Sequence, residues 1–296
     1  MLDFSKFYNK KIKCAGIGEV LFDVFESGAQ IGGAPANFAY HCKNNGLDAL
    51  LISSVGNDSL GFRARNLLAM RYLPSLLLEN SKPTGCVYIN LDDNGIPAYT
   101  FADDTAYDNI AFTDELKEIA SELDLICFGS LAQRSETTHN TIMTVLESMP
   151  EGSLKVFDVN LRGGFYNRSI IENSLKHCDI FKCNEDELPV LSKLLNLNVE
   201  TATDFYAYLK SVGIYCFIFT EGAVQSSVYL NDDLSCIKTP KVSVADTVGA
   251  GDSFTATVVS SLIKGLKLKE AHDRAVKVSA YVCTQKGAMP DIPSDL

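Results

Sequence analysis

Six short apolar runs, at residues 12–17, 50–55, 123–128, 154–159, 180–183 and 216–220, recur along the chain with amphipathic stretches between them. Runs of that length, bounded by polar and turn-forming residues, read as buried strands. The intervening segments 62–70, 114–122, 137–148, 185–195 and 203–211 space their apolar residues as helices do. Such alternation predicts an α/β fold: a mostly parallel central sheet with helices on both faces. Ligands of these sheets gather beyond the carboxyl ends of the strands. The polar residues there are Asn160-Leu161-Arg162, Asn184 to Glu187, and Glu221-Gly222.

One region breaks the alternation. Residues 86–91 and 96–101 flank Asp92-Asp93-Asn94-Gly95, and Asn-Gly between β-rich runs is a strong hairpin signal. Residues 20–25 read as a further strand outside the main sheet. Together they predict a small β-structure attached to the α/β core, with an edge hairpin of the main sheet as the alternative. No repeat, low-complexity tract or Pro/Gly/Ser-rich linker divides the 296 residues, so the reading is one domain over 1–296.

The net charge of −11 argues against nucleic acid or an anionic membrane as partner. Nine cysteines lie scattered without a Cys-x-x-Cys pair, which suggests reduced thiols in a cytoplasmic protein. Cys178 and Cys183 have only His177 as a nearby imidazole, too little for a metal site. No apolar stretch reaches membrane-spanning length, and the run after Lys10, Lys11 and Lys13 is broken by Glu19 and Asp23.

The chemistry concentrates in Asp246-Thr247-Val248-Gly249-Ala250-Gly251-Asp252-Ser253-Phe254. Two glycines bracket a small residue, an acid follows, and helical apolar spacing begins behind it, with Gly265 placed to end the helix. Amides of Gly249, Ala250 and Gly251 would then face outward at the positive end of a helix, where an anion such as phosphate binds. A carboxylate beside a phosphate cradle is suited to take the proton from the hydroxyl that attacks the phosphoryl group. Asp252 also fits a plain helix N-cap. The chain has no Gly-x-x-x-x-Gly-Lys-Ser/Thr, and Gly16-Ile17-Gly18 lacks the third glycine of a dinucleotide fingerprint.

The run from Asp246 to Phe254 closely resembles the C-terminal motif of the ribokinase-like (PfkB) carbohydrate kinases. The resemblance spans nearly the whole chain and is greatest to bacterial fructokinases. Gly18 to Asp23 is similar to the family's first strand end, and Gly32-Gly33-Ala34-Pro35-Ala36-Asn37 to its N-terminal motif. Phe128 to Arg134 and Asp158 to Arg162 are similar to fructokinase-type segments. The resemblance implies a ribokinase-like three-layer sandwich whose β appendage, near 19–31 and 85–108, is a lid over the sugar and a homodimer contact. It implies ATP and Mg²⁺, with Asp252 as the base and Gly249, Ala250 and Gly251 as the anion hole. Asp23, Gly32, Gly33, Asn37 and Arg162 would bind the acceptor, and Asn184, Thr220 and Gly222 would line the nucleotide along with Gly249 and Gly251. Asn184 and Glu187 would organise Mg²⁺ through water, an arrangement equally suited to a capping box. Asp246 and Val248 fall where many members hold K⁺, and Lys286-Gly287-Ala288 resembles the adenine-side loop. Two departures stand out: Ala106-Tyr107-Asp108 has Tyr where fructokinases often have Trp, and Lys277-Val278-Ser279 replaces a frequent Asn-bearing turn.

Segments 19–40 and 84–108 contain no Lys or Arg. A sugar phosphate or sugar acid needs cationic partners, so a neutral acceptor is expected, fructose first and ribose or another neutral ketose next. Arg134 and Arg162 keep a sugar acid such as 2-keto-3-deoxygluconate open, and Phe22, Tyr99 and Phe101 keep a nucleoside open. A non-catalytic sensor on the same fold is the reading from another class, and a retained base speaks against it.

Overall fold

In the computed structural model, residues 1–26, 28–91 and 97–296 are described. The Asn94-Gly95 turn therefore lies outside the described residues. The main sheet is built from β1 (Lys13–Ile17), β4 (Asp48–Gly56), β5 (Ser75–Asn80), β8 (Leu125–Phe128), β9 (Leu154–Asp158), β10 (Ile180–Asn184), β11 (Cys216–Glu221), β12 (Gln225–Leu230) and β13 (Asp233–Lys238). A second sheet holds β2 (Leu21–Phe25), β3 (Gly28–Gly32), β6 (Gly85–Leu91) and β7 (Pro97–Phe101). The helices are α1 (Ala34–Asn44), α2 (Ser59–Met70), α3 (Asp114–Ala120), α4 (Glu136–Ser148), α5 (Arg168–His177), α6 (Glu187–Leu194), α7 (Ala202–Ser211), α8 (Ala250–Ile263) and α9 (Leu268–Cys283).

The main sheet runs β13-β12-β11-β10-β9-β8-β1-β4-β5, parallel from β5 through β11 and antiparallel at β12 and β13. The small sheet runs β3-β2-β6-β7, so the β appendage is a separate sheet and not an edge extension. Each strand of the parallel core feeds both faces, as the two-residue strand period requires. In β8, Leu125 and Cys127 face α1, α8 and α9, while Ile126 and Phe128 face α3 to α7. Because both faces are covered, these strands are apolar throughout and show no alternation.

Local chemistry sets the helix starts. Asp58, Thr113, Asn167 and Thr201 each accept the amide three residues on, at the start of α2, α3, α5 and α7 respectively. Gly265, at φ 90°, follows α8 as expected. The expected helix at 185–195 begins later, at Glu187, because residues 184–186 form the turn that Asn184 caps. Seven of nine cysteines are buried and none is bonded to another. Among the described residues no His/Cys/Asp/Glu cluster suited to a metal occurs, and no helix is long and apolar enough to cross a membrane.

α1 lies tightly on β1. A Cβ at Gly16 would stand 2.1 Å from the Pro35 carbonyl oxygen, so glycine is required for the approach. That contact brings the start of α1 over the carboxyl end of the sheet, beside the start of α8.

Candidate active site

The two motif glycines of α8 stand in different surroundings. Gly249 precedes the helix at φ 78°, a left-handed conformation, and a Cβ there would stand 2.5 Å from Ala288 Cβ. Gly251 is inside the helix without left-handed backbone, contrary to the expectation that its turn needs glycine's freedom. A Cβ there would stand 3.4 Å from Lys182 Nζ, an ordinary contact, so the protein itself leaves space for a side chain at this position. The anion hole also differs from expectation at one residue. The Ala250 amide turns back to the Thr247 carbonyl at 3.3 Å, while the amides of Gly249, Gly251 and Asp252 have no partner among the described residues. The free donors at the positive end of α8 are therefore those three.

Asp252 is partly buried in the first turn of α8, and its Oδ2 accepts Asn37 Nδ2 at 2.7 Å. Asn37 thus holds the acid, while its own Oδ1 is buried without a partner. Burial pushes the Asp252 carboxyl up to about 6, and the nearby Asp158 carboxylate pushes the same way. The Asn37 bond, Lys182 and Arg162 act in the opposite direction.

Beneath the cradle lies an ion pair absent from the sequence reading. Lys182 Nζ and Asp158 Oδ1 stand 3.0 Å apart, both side chains more than nine-tenths buried. Asp158 Oδ1 lies off the line of a hydrogen bond, so charge holds the pair. Thr255 Oγ1 reaches Asp158 Oδ2 at 3.3 Å. The neighbouring carboxylates, Asp158 first, outweigh burial and raise the Lys182 pKa, so the ammonium keeps its charge. A lysine inside an apolar strand run (Ile180-Phe181-Lys182-Cys183) was the available sequence signal.

The residues expected to bind the acceptor are drawn together from β2, β3 and the start of α1. Asp23, on β2, packs against Gly32 of β3, where a Cβ would meet its Oδ2 at 2.9 Å. Gly33, at φ 124°, begins α1 against the Glu19 carbonyl. Glu19 is buried, and its Oε1 accepts the Ala34 amide at 3.3 Å while Oε2 has no partner. Burial pushes its carboxyl up to about 7. Asp23 is raised in the same direction, again by burial first. Arg162 is exposed, and its positive charge lowers the pKa of Glu19, Asp23 and Asp252 alike. Arg134, by contrast, is spent in the interior: Nε and Nη2 grip Asp108 at 2.7 Å each.

On the nucleotide side, the capping-box geometry is present. Glu187 Oε2 accepts the Asn184 amide and Asn184 Oδ1 accepts the Glu187 amide, both at 2.9 Å. Glu187 Oε1 accepts the Leu161 amide at 2.8 Å, so both its oxygens are occupied. Thr220 is the penultimate residue of β11, and its carbonyl accepts the Glu185 amide at 3.0 Å. Gly222 takes φ 45° in the turn that follows. Asp246 ties its own turn to the 286–288 loop, its carboxylate accepting the Val248 and Gly287 amides at 3.0 Å each. Tyr40 OH and the His41 ring on α1 hold that loop from behind, at the carbonyls of Pro290 and Ala288.

The constellation is that of a kinase: an anion cradle at a helix start, an acid beside it, and a second polar face roofed by a small sheet. The chain belongs to the pfkB family carbohydrate kinases, whose model matches residues 8–295. It is similar to a putative sugar kinase of Pyrococcus horikoshii, 30% identical over 93% of this chain and 91% of that one. An ATP-dependent 6-phosphofructokinase of Thermoanaerobacterium thermosaccharolyticum is 25% identical over 97% and 92%. A fructokinase of Salmonella typhimurium is 26% identical over 88% of each. Among solved structures, the P. horikoshii sugar kinase in complex with ATP superposes with TM-score 0.78 at 27% identity, covering 93% and 94%. A putative ribokinase II of E. coli, in complex with ATP and Mg²⁺, reaches 0.81 at 21% over 94% of each, a likeness of fold. The protein is an ATP-dependent sugar kinase with a ribokinase-like fold.

Proposed function

We propose that the acceptor is a neutral sugar, fructose before other ketoses, and that Asp252 takes the proton from its attacking hydroxyl. The observation that carries this is the Asn37–Asp252 hydrogen bond at the start of α8, which holds the acid where its charge meets Glu19 and where Arg162 acts on Asp252, Glu19 and Asp23 alike. Carboxylates raised by burial accept protons from hydroxyls more readily than ordinary ones, and amide and carboxylate groups suit vicinal hydroxyls. The amides of Gly249, Gly251 and Asp252 stabilise charge on the transferred phosphoryl oxygens without rearranging.

Arg162 is the cation common to all three carboxylates, Lys182 acts on Asp252 but is paired with Asp158, and Arg134 is consumed by Asp108. A phosphorylated acceptor brings about two negative charges. Three acids and one arginine suit it poorly, despite the likeness to a 6-phosphofructokinase. Asn184, Thr220 and Gly222 line the nucleotide side. Mg²⁺ shields the phosphates when bound, and Asn184 with Glu187 would hold it through water, since both Glu187 oxygens already accept amides. Asp246 and Val248 would hold K⁺, each Asp246 oxygen keeping a second lone pair. Among the exposed aromatics of the small sheet, Phe25 and Tyr99 lie on the face that carries Asp23 and Tyr88 lies on the other, and a second copy of the chain would cover part of this sheet in a homodimer.

Coupled ADP release over fructose, ribose, 2-keto-3-deoxygluconate, fructose 6-phosphate and a nucleoside tests the acceptor. Fructose is expected to give the highest kcat/KM. A preference for either anion would mean that Arg162 grips a charged group, and absence of turnover with every acceptor would return the sensor reading.

A further inference from the structure

Residues 160–165 leave the sheet after β9 in a turn where Asn160, Gly163 and Gly164 take φ of 42°, 52° and 79°. Glycine and asparagine adopt such backbone readily, so the shape of this turn is set by its anchors. At the start, the Leu161 amide donates to Glu187 Oε1. At the end, the Phe165 amide donates to the Arg162 carbonyl at 2.9 Å. The Phe165 ring meets Phe101 of β7 edge-on, with centroids 5.4 Å apart. The Arg134 guanidinium lies 4.7 Å from the Phe165 centroid. Arg134 also donates to the Ala102 carbonyl, one residue past Phe101. Phe165 is thus gripped between the small sheet and the body of the protein. A Cβ at Gly163 would strike the Phe165 ring at 2.9 Å and approach Phe101 at 3.6 Å, so the turn is closed tightly on that contact.

Between these anchors stands Arg162. Its guanidinium bonds to the Leu161 carbonyl at 3.2 Å, and through Phe165 the turn that carries it docks on the face of the small sheet that Asp23, Val87 and Phe101 share by strand pairing, beside carboxylates that feel its charge. A flexible, exposed arginine gains a fixed position only from the backbone that carries it.

We propose that Phe165 is a positioning residue for Arg162: clamped between Phe101 and Arg134, it fixes the 160–165 turn so that the guanidinium stands over the acceptor-side carboxylates. The kinase reaction then depends on an aromatic contact between the small sheet and the turn after β9 that touches no reacting atom. This rests on the reading that Glu19, Asp23 and Asp252 face the acceptor.

The full chain and its variants Phe165→Ala, Phe101→Ala and Phe165→Tyr test it, with two readouts. The first is limited tryptic cleavage of the Arg162–Gly163 bond, followed by mass spectrometry and normalised to other sites. It needs no knowledge of the acceptor. Both alanine variants are expected to accelerate that cut by roughly tenfold or more through local opening, with Phe165→Tyr near wild type. The second readout is steady-state kinetics with the best acceptor of the panel. Its KM is expected to rise about three- to thirtyfold in the alanine variants, with the KM for ATP unchanged, and this effect should vanish in an Arg162→Ala background. Unchanged cleavage, or an effect on acceptor KM that persists without Arg162, overturns the proposal. Faster cleavage with an unmoved acceptor KM upholds the clamp and overturns the acceptor reading instead.

Discussion

Asp252 joins stability to chemistry at a single carboxyl. Its pKa in the fold, about 6, lies above the ordinary 3.8, so the folded chain binds that proton more tightly than the unfolded one. The stability this gives is complete below about pH 4 and is lost as pH rises through about 6. Asp252→Asn should therefore melt higher than wild type at pH 8, by on the order of 1–3 kcal/mol, with the difference shrinking toward pH 5. Thermal melts across pH check this, and equal melting temperatures at pH 8 would show that the acid is not strained by burial. Asn37→Ala removes the bond that favours the charged form. The acid limb of kcat/KM should then move to higher pH, and a limb that stays put would separate Asn37 from the base. Lys182→Met leaves Asp158 buried and unpaired, which by analogy with other buried pairs destabilises by about 3–5 kcal/mol. Pairing it with Asp158→Asn should recover most of that loss in denaturant unfolding.

At the scale of elements, α1 and α8 assemble the site. α8 is buried from Ser253 to Ile263, and its hydroxyls are absorbed locally, as when Thr257 accepts Asn45 of the turn after α1. α1 carries Gly33 and Asn37 toward the acceptor face and Tyr40 and His41 toward the 288–290 loop. Gly249→Ala puts a Cβ at positive φ and into Ala288. We expect a loss of about 2 kcal/mol and a raised KM for ATP, because the loop that packs on Gly249 must move. Ala250→Ser keeps the backbone and should leave both quantities near wild type. Equal damage from the two changes would detach the cradle from its glycine. The start of α8, its end at Gly265 and the strands of the parallel core were legible because local rules and burial agree there. Lys182–Asp158 was not, because a lysine in an apolar run shows its partner only after β9 and β10 pair in register. Gly249 takes the left-handed backbone a glycine before a helix suggests, whereas Gly251 sits in ordinary helix with space for a Cβ.

At the scale of the whole molecule, the parallel sheet carries the residues proposed to line the nucleotide, and the small sheet carries Asp23 on β2 beside Gly32 on β3. The sequence marked both sheets, since apolar runs and a β-rich pair differ in pattern. It did not mark how Arg134 is spent, because Asp108 lies 26 residues away and only the fold brings them together. That pairing removes Arg134 from any proposed contact with the acceptor, in keeping with the proposal of an uncharged sugar. The central claim is that Asp252 is the base of this kinase, and the most direct measurement is kcat/KM for the preferred sugar against pH in wild type and Asp252→Asn. Wild type is expected to show an acid limb with a midpoint near 6, and the variant to run about 10²–10⁴-fold slower without that limb. A variant within roughly threefold of wild type, with the limb intact, would contradict the account and leave Asp252 as a helix-start acid only.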